Sequence, residues 1–433
     1  MLTFLGFAMI SVFMYLIMSK RFSALNSLIA IPVIFALIGG FTDLGPMIMS
    51  GLESIAPTAI MVVFAILYFG ILIDSGFFDP LVSKILKLVK GDPLKISLGT
   101  AALAMVVALD GDGTITYLIV VTAMLPLYDR LGMNRLILAC LPALAMGIMN
   151  LLPWGGPTAR VMTIFDMDAM GAIGPIIPSM IAGGIWVFAV AYFMGLKERK
   201  RLGVNNDINE TFIQEIAATV AEQKDVTLKR PKLFWFNLVL TLLLLVTLVM
   251  GLLPLPGLFM LAFVIVISVN YPSLTDQKER LEGHAGNILT VVSMIFGAGI
   301  FTGILEGTKM DTAMADSLVA IIPESFGALL PVIVAVTSLP FTFVLANDPY
   351  YFGIVPIIAE TASGFGINPN EIGHASLLGQ PLHLLSPLQG SIYVLIGLLG
   401  IGLNDHIRFT AKYAIGTGLV MTIVAVLFGT LSI

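Results

Sequence analysis

The sequence predicts an all-α polytopic membrane protein made of two inverted repeats, each with five transmembrane helices and a re-entrant hairpin. Three observations carry that expectation. Of 433 residues, 58% are hydrophobic and 11% charged, where a soluble domain has roughly a quarter charged. The apolar residues gather into stretches able to cross a hydrocarbon core of ~30 Å. A polar link over 197–232 separates two halves, 1–196 and 233–433, whose stretches follow one order.

Taken along the chain, spans are expected at 2–19, 25–41, 57–74, 134–166, 173–197, 233–253, 257–271, 288–306, 371–403 and 410–433. The first has no basic segment before it and no small-x-small site after it, so it reads as a retained span and not as a signal peptide. The stretches 134–166 and 371–403 exceed one crossing and carry Pro and Gly near their middles. They read as broken helices. Between the spans lie 95–127 and 326–362, each with two apolar arms of about a dozen residues around a polar turn, short enough to suggest re-entrant hairpins. Glu210 to Lys224 in the link could form a short helix, but the link reads most simply as a tether.

Basic residues orient the chain, because Lys and Arg concentrate in cytoplasmic loops. With the N-terminus outside and both hairpins returning to their side of entry, 20 of the 22 Lys and Arg fall in the cytoplasm. The exceptions are Lys309, expected outside, and Arg160, expected within the membrane. Both termini are then extracellular and the link cytoplasmic, and the second half runs inverted relative to the first.

The repeat shows in the residues. Phe69-Gly70-Ile71-Leu72 before Asp74 parallels Thr302-Gly303-Ile304-Leu305 before Glu306. Asp79-Pro80 caps a surface helix to Lys90, as Asp311 is expected to cap 312–322. Shifting the first half by about 235 positions brings Leu109 and Asp112 onto Leu345 and Asp348, and Pro153 and Gly156 onto Pro387 and Gly390.

Four polar stretches converge in this arrangement. One hairpin tip holds Asp110, Gly111, Asp112, Gly113 and Thr114, and the other holds Asn347 and Asp348. The first break holds Asn150, Gly155, Gly156, Thr158 and Arg160. The second holds His383, Ser386, Gln389, Gly390 and Ser391. Breaks expose free N–H groups at one half-helix end and free C=O groups at the other, which suits ion and substrate binding near the midplane.

Intramembrane carboxylates point to ion or proton traffic, so Asp110, Asp112 and Asp348 are candidates for a coupling ion or a metal. The bland alternative is a turn whose aspartates cap the second arm. Arg160 can grip a carboxylate bidentately, or snorkel to the interface. His383 could be a substrate donor, a proton carrier or a satisfied structural histidine. His284, His374, His406, Asp74 and Glu306 fall at loops or span ends, where a boundary role is expected.

Several classes are excluded. Cys140 is the sole cysteine, so there is no intramolecular disulfide and no thiolate metal centre. No basic aromatic groove for nucleic acid is visible. There is no His/Glu metal-ligand pattern, no Ser/Lys or Ser/His dyad at matched depth and no nucleotide loop, so an enzyme or a primary pump is not expected.

Four motifs carry a resemblance. They are Ala108-Leu109-Asp110-Gly111-Asp112-Gly113-Thr114, Asn150-Leu151-Leu152-Pro153-Trp154-Gly155-Gly156-Pro157-Thr158-Ala159-Arg160, Leu345-Ala346-Asn347-Asp348-Pro349-Tyr350-Tyr351-Phe352-Gly353 and His383-Leu384-Leu385-Ser386-Pro387-Leu388-Gln389-Gly390-Ser391. On them the chain resembles the CitMHS family of divalent-metal-citrate:proton symporters, within the ion transporter superfamily that includes dicarboxylate/sodium symporters.

The resemblance implies proton-driven uptake of citrate complexed with a divalent metal such as Mg2+ or Ca2+. It also implies a homodimer in the cell membrane, with a scaffold and a mobile transport portion moving like an elevator. Superfamily hairpin tips carry a Ser-Asn-Thr type motif beside sodium sites. Here acidic groups replace neutral ones at Asp110 to Thr114 and Ala346 to Asp348, which fits a divalent cation or protons better than sodium. The metal cancels two of citrate's charges and lowers the cost of desolvation, so it belongs to the substrate and no resident cofactor is expected. The alternatives are a symporter of a free di- or tricarboxylate, and a cation/proton antiporter built on Asp110, Asp112 and Asp348.

Overall fold

A computed structural model describes residues 1–19, 21–89, 91–204, 226–250 and 252–433. Helices are the only regular structure among them. The first half contains α1 (Leu2–Met18), α2 (Ala24–Ile38), α3 (Leu44–Asp74), α4 (Asp79–Val89), α5 (Pro93–Val107), α6 (Gly113–Leu131), α7 (Arg135–Met149), α8 (Gly156–Phe165), α9 (Ala169–Ile173) and α10 (Ile177–Leu202). The second contains α11 (Phe234–Val249), α12 (Leu255–Asn270), α13 (Leu274–Gly307), α14 (Met310–Val319), α15 (Glu324–Gly327), α16 (Leu330–Val344), α17 (Val355–Gly364), α18 (Pro369–Leu377), α19 (Gln380–His383), α20 (Gly390–Leu399) and α21 (Leu403–Leu427). Seven helical stretches among the described residues are long and apolar enough to cross a membrane. Large apolar side chains stand exposed along them, such as Ile185 and Phe193 on α10 and Val239 and Leu243 on α11. Such a surface suits lipid.

The antiparallel pair α3 and α13 is the most extensive helix contact. It runs from Met47 beside Gly303 and Gly307, through Gly51 against Gly299 and Gly303, to Gly70 against the His284 ring and Asp74 beside Arg280. A Cβ on Gly51 would lie 2.0 Å from the Gly299 carbonyl oxygen, so only glycine permits this approach, as in other small-residue crossings within membranes. Both helices begin earlier than the sequence predicts, at Leu44 instead of 57 and at Leu274 instead of 288. In α13 the added turns are the charged run from Asp276 to Glu282, good helix formers that remain helical outside the apolar stretch. In α3 the added turns bring Gly51 onto α13, with Pro57 kept inside the helix.

The first hairpin is longer than 95–127. Asp92 accepts from the Leu94 backbone N–H at 3.1 Å with Pro93 opening the helix, and Gly132 closes the second arm in the left-handed conformation. With its 3₁₀ turn the first arm runs from Pro93 to Asp110 and the second from Gly113 to Leu131, and each, contrary to the expectation of arms of about a dozen residues, is long and apolar enough to span. The second hairpin uses a π-helical turn, Pro349–Ile354, between α16 and α17. The broken stretch 371–403 falls into three pieces, α18, α19 and α20, and 134–166 into two, α7 and α8. Asp311 is not the cap of the surface helix. Lys309, at φ 56°, precedes that helix, and Asp311 lies in its first turn.

One core spans α3, both hairpins and both broken stretches. A second joins α1, α2, α13 and α14 to Phe352 and Ile357 of the second hairpin. The link is more than a tether at its described end. Lys229 pairs with Asp79 at 2.7 Å, and the Arg230 backbone N–H donates to the Ser75 carbonyl at 2.9 Å. The Arg230 guanidinium reaches the Asn270 carbonyl and covers the Tyr271 ring. The helix considered for Glu210 to Lys224 lies outside the described residues.

Candidate functional site

The first tip is built by a short-range conflict. The arm ends in a 3₁₀ turn over Ala108–Asp110, and Gly111 at φ 81° reverses the chain. Such a φ strains any residue with a side chain. Asp110 then accepts from the Asp112 N–H at 3.0 Å, and Asp112 accepts from the N–H groups of Thr114 and Ile115 at 2.7 and 3.3 Å. Asp112 is therefore the N-cap of α6. The bland reading of this aspartate is correct as far as it goes. Both carboxylates nevertheless also line a cavity.

The cavity has a volume of about 620 Å³. Of the residues singled out in the sequence, Asp110, Gly111, Asp112, Asn150, Gly156, Arg160, Asn347, Asp348 and Gln389 line it. All four polar stretches therefore contribute. The opposite wall comes from α3 and α13, through Val62, Ile66, Phe69, Met294 and Ile295, and His284 also borders the cavity.

Arg160 is placed by the start of α8, where Gly155 is the N-cap and Pro157 lies in the first turn. Its Nη1 donates to the Gly156 carbonyl at 2.8 Å. Its Nε donates to Oδ1 of Asp348 at 2.8 Å, and Nη2 donates to the same oxygen. The side chains of Arg160 and Asp348 are 20% and 15% exposed, so the pair is largely shielded yet borders the cavity. A guanidinium bordering a cavity is not snorkelling.

The remaining predicted residues stand around the cavity and not on it. Thr158 is buried and donates to the Leu151 carbonyl at 2.9 Å, bracing the break. His383 is buried, with Nδ1 bound to the Thr342 carbonyl, and does not line the cavity. Ser386 is buried and accepts from the Leu388 N–H at 3.2 Å. Gly390 opens α20, and Ser391 lies beside Gly113 at the first tip. Thr114 is exposed.

Sequence reasoning missed three groups. Trp154 donates from Nε1 to the Leu109 carbonyl at 2.8 Å, fastening the first tip to the first break. Gln380 donates to Asn347 Oδ1 at 3.1 Å and to the Tyr351 hydroxyl at 3.0 Å, setting the second tip. His284 and Arg280 converge on Oδ2 of Asp74 at 3.0 and 3.4 Å. Trp154 has a local signal, an indole between Pro153 and Gly155 inside the first break. Gln380 and His284 carry no local signal, because each acquires its role from a distant partner.

Among the described residues no group of three or more His, Cys, Asp or Glu could hold a metal ion. The site is instead bipolar. Three carboxylates, Asp110, Asp112 and Asp348, share the cavity with one guanidinium, and the N-terminal end of α8 adds a partial positive charge.

A helical bundle with a polar cavity between broken helices and hairpin tips is an arrangement suited to membrane transport. The chain belongs to the citrate transporter family CitMHS, whose family model matches residues 5–379. It is 58% identical over its whole length, and the whole length of the relative, to a citrate transporter of Bacillus subtilis (strain 168). It is 52% identical, again over both full lengths, to a Mg(2+)/citrate complex secondary transporter of the same organism. In fold it is similar to the YdaH transporter of Alcanivorax borkumensis, with TM-score 0.58 at 14% identity over 91% of this chain and 88% of that one. MtrF of Neisseria gonorrhoeae gives 0.57 at 13% identity over 87% and 82%.

Proposed function

We propose that the protein is a secondary transporter that takes up citrate as a complex with a divalent metal ion, driven by protons. The observation that supports this most is the charge balance of the cavity, three carboxylates against one guanidinium. A free citrate trianion meets net repulsion there. A citrate whose charge is largely cancelled by Mg2+ or Ca2+ offers its metal to Asp110 and Asp112 and a carboxylate to Arg160, opposite poles for opposite groups. The relative named as a Mg(2+)/citrate complex transporter supports the same reading.

In this reading the metal enters and leaves with citrate, and the protein keeps no ion of its own. The two tips and two breaks travel together past a scaffold that includes α3 and α13, in a homodimer. Both termini are extracellular and the link is cytoplasmic.

The test is citrate uptake into proteoliposomes with Mg2+, with Ca2+ and with chelator, each with and without an inward proton gradient. The expected result is uptake that needs both metal and gradient. Uptake indifferent to metal would favour a free carboxylate symporter, and metal uptake without citrate would favour an antiporter.

A further inference from the structure

We infer that Asp348 is the group that couples the proton to the substrate, by competing with a citrate carboxylate for Arg160. This rests on the citrate reading above. The guanidinium presents two donor edges. Nη1 is held by the Gly156 carbonyl, while Nε and Nη2 both point at one oxygen of Asp348. The edge that could grip a substrate carboxylate side-on is therefore already occupied by a carboxylate of the protein.

Exchange of one carboxylate for another gains little while Asp348 stays ionised, because it leaves Asp348 as an uncompensated charge in a largely shielded site. A proton from the cavity water changes the balance. It adds to a carboxylate oxygen of Asp348, neutralises that group and frees Arg160 for citrate. No other bond is made or broken. Citrate holding one divalent cation retains one negative charge, and the proton supplies one positive charge. The site thus keeps the same net charge empty and loaded, so loading adds no charge to be carried through a low-dielectric region.

Asp348 is better suited to this than its neighbours. Asp110 and Asp112 each have an oxygen engaged by backbone N–H groups that no substrate can replace. The partner of Asp348 is a side chain that a substrate can take over. The charged or titratable groups around Asp348 are Arg160 from α8, His383 from α19, Tyr350 and Tyr351 of its own tip, and Asp110, Asp112 and His284 across the cavity. Neither α1 nor α16, which flank the second tip, carries an acidic or basic side chain.

The experiment is calorimetric titration of the purified protein with citrate and Mg2+ above neutral pH, where citrate itself is fully ionised, in buffers of different ionisation enthalpy. The wild type is expected to take up about one proton per citrate bound and to lose affinity about tenfold per pH unit. Asp348→Asn is expected to bind with proton uptake near zero and a flat pH profile. Asp348→Ser serves as a second neutral variant, and a thermal unfolding scan confirms that each is folded. Wild-type binding without proton uptake overturns the exchange without recourse to any variant. So does a folded neutral variant that keeps the proton uptake of the wild type. No citrate binding by the wild type, with or without metal, overturns the functional reading itself and this inference with it.

Discussion

Arg160 and Asp348 stand 188 positions apart, one in each half of the chain, and meet on a single carboxylate oxygen. The pair ties the first break to the second tip, so neither half holds a finished site. Removing one member leaves the other as a largely buried charge without its partner, which costs far more than the pair contributes. Arg160→Gln should therefore reduce citrate uptake by about 100-fold. Arg160→Lys should recover part of it, since an ammonium keeps the charge but not the two-donor edge. Uptake assays on matched amounts of reconstituted protein read the difference.

Asp112 has two duties that substitution can separate. It caps α6 and it borders the cavity. Asn is as good a cap as Asp, whereas Ala costs about 1 kcal/mol. Asp112→Asn should keep the unfolding temperature of the wild type and lose metal-dependent citrate uptake. Asp112→Ala should lose both. Thermal unfolding in detergent, beside uptake measured with a range of Mg2+ concentrations, checks the pair of outcomes.

Gly51 is fixed by contact with α13. A Val there must displace the Gly299 carbonyl, which lies 2.0 Å from where its Cβ would fall. The strain of such overpacking is about 1–3 kcal/mol. Gly51→Val should lower the unfolding temperature and impair transport, while Gly257→Val, where a Cβ meets nothing within 4 Å, should change neither.

Trp154 holds the first tip through one hydrogen bond to Leu109. Trp154→Phe removes the donor and keeps most of the ring. The expected cost is about 1 kcal/mol, read as a roughly fivefold rise in the citrate dissociation constant with little change in thermal stability.

The breaks and tips could be read from the sequence because Pro, Gly and isolated carboxylates inside apolar stretches have few other uses. Asp110, Asp112 and Asp348 stand out in this way, and Arg160 does as a basic residue with no loop to hold it. Helix ends were less so, since charge marks the membrane boundary and not the helix boundary. The helix α13 continues through Asp276 to Glu282 for that reason. His383 shows the limit on the site side. A histidine beside a break suggests a place on the cavity, and this one is buried against the Thr342 carbonyl instead. Gln380 shows the converse, an unremarked amide that positions Asn347 and Tyr351.

Trp154 packs with its ring centroid 5.2 Å from both Phe69 and Phe259, at the wall of the cavity. The chain has only two other tryptophans, Trp186, bound through its indole to the Tyr413 carbonyl, and Trp235, 72% exposed on α11. Replacing those two with Phe would leave a single indole emitter touching both the first tip and the cavity. Occupancy of that space then becomes an optical signal native to the chain, readable in milliseconds without attaching a dye.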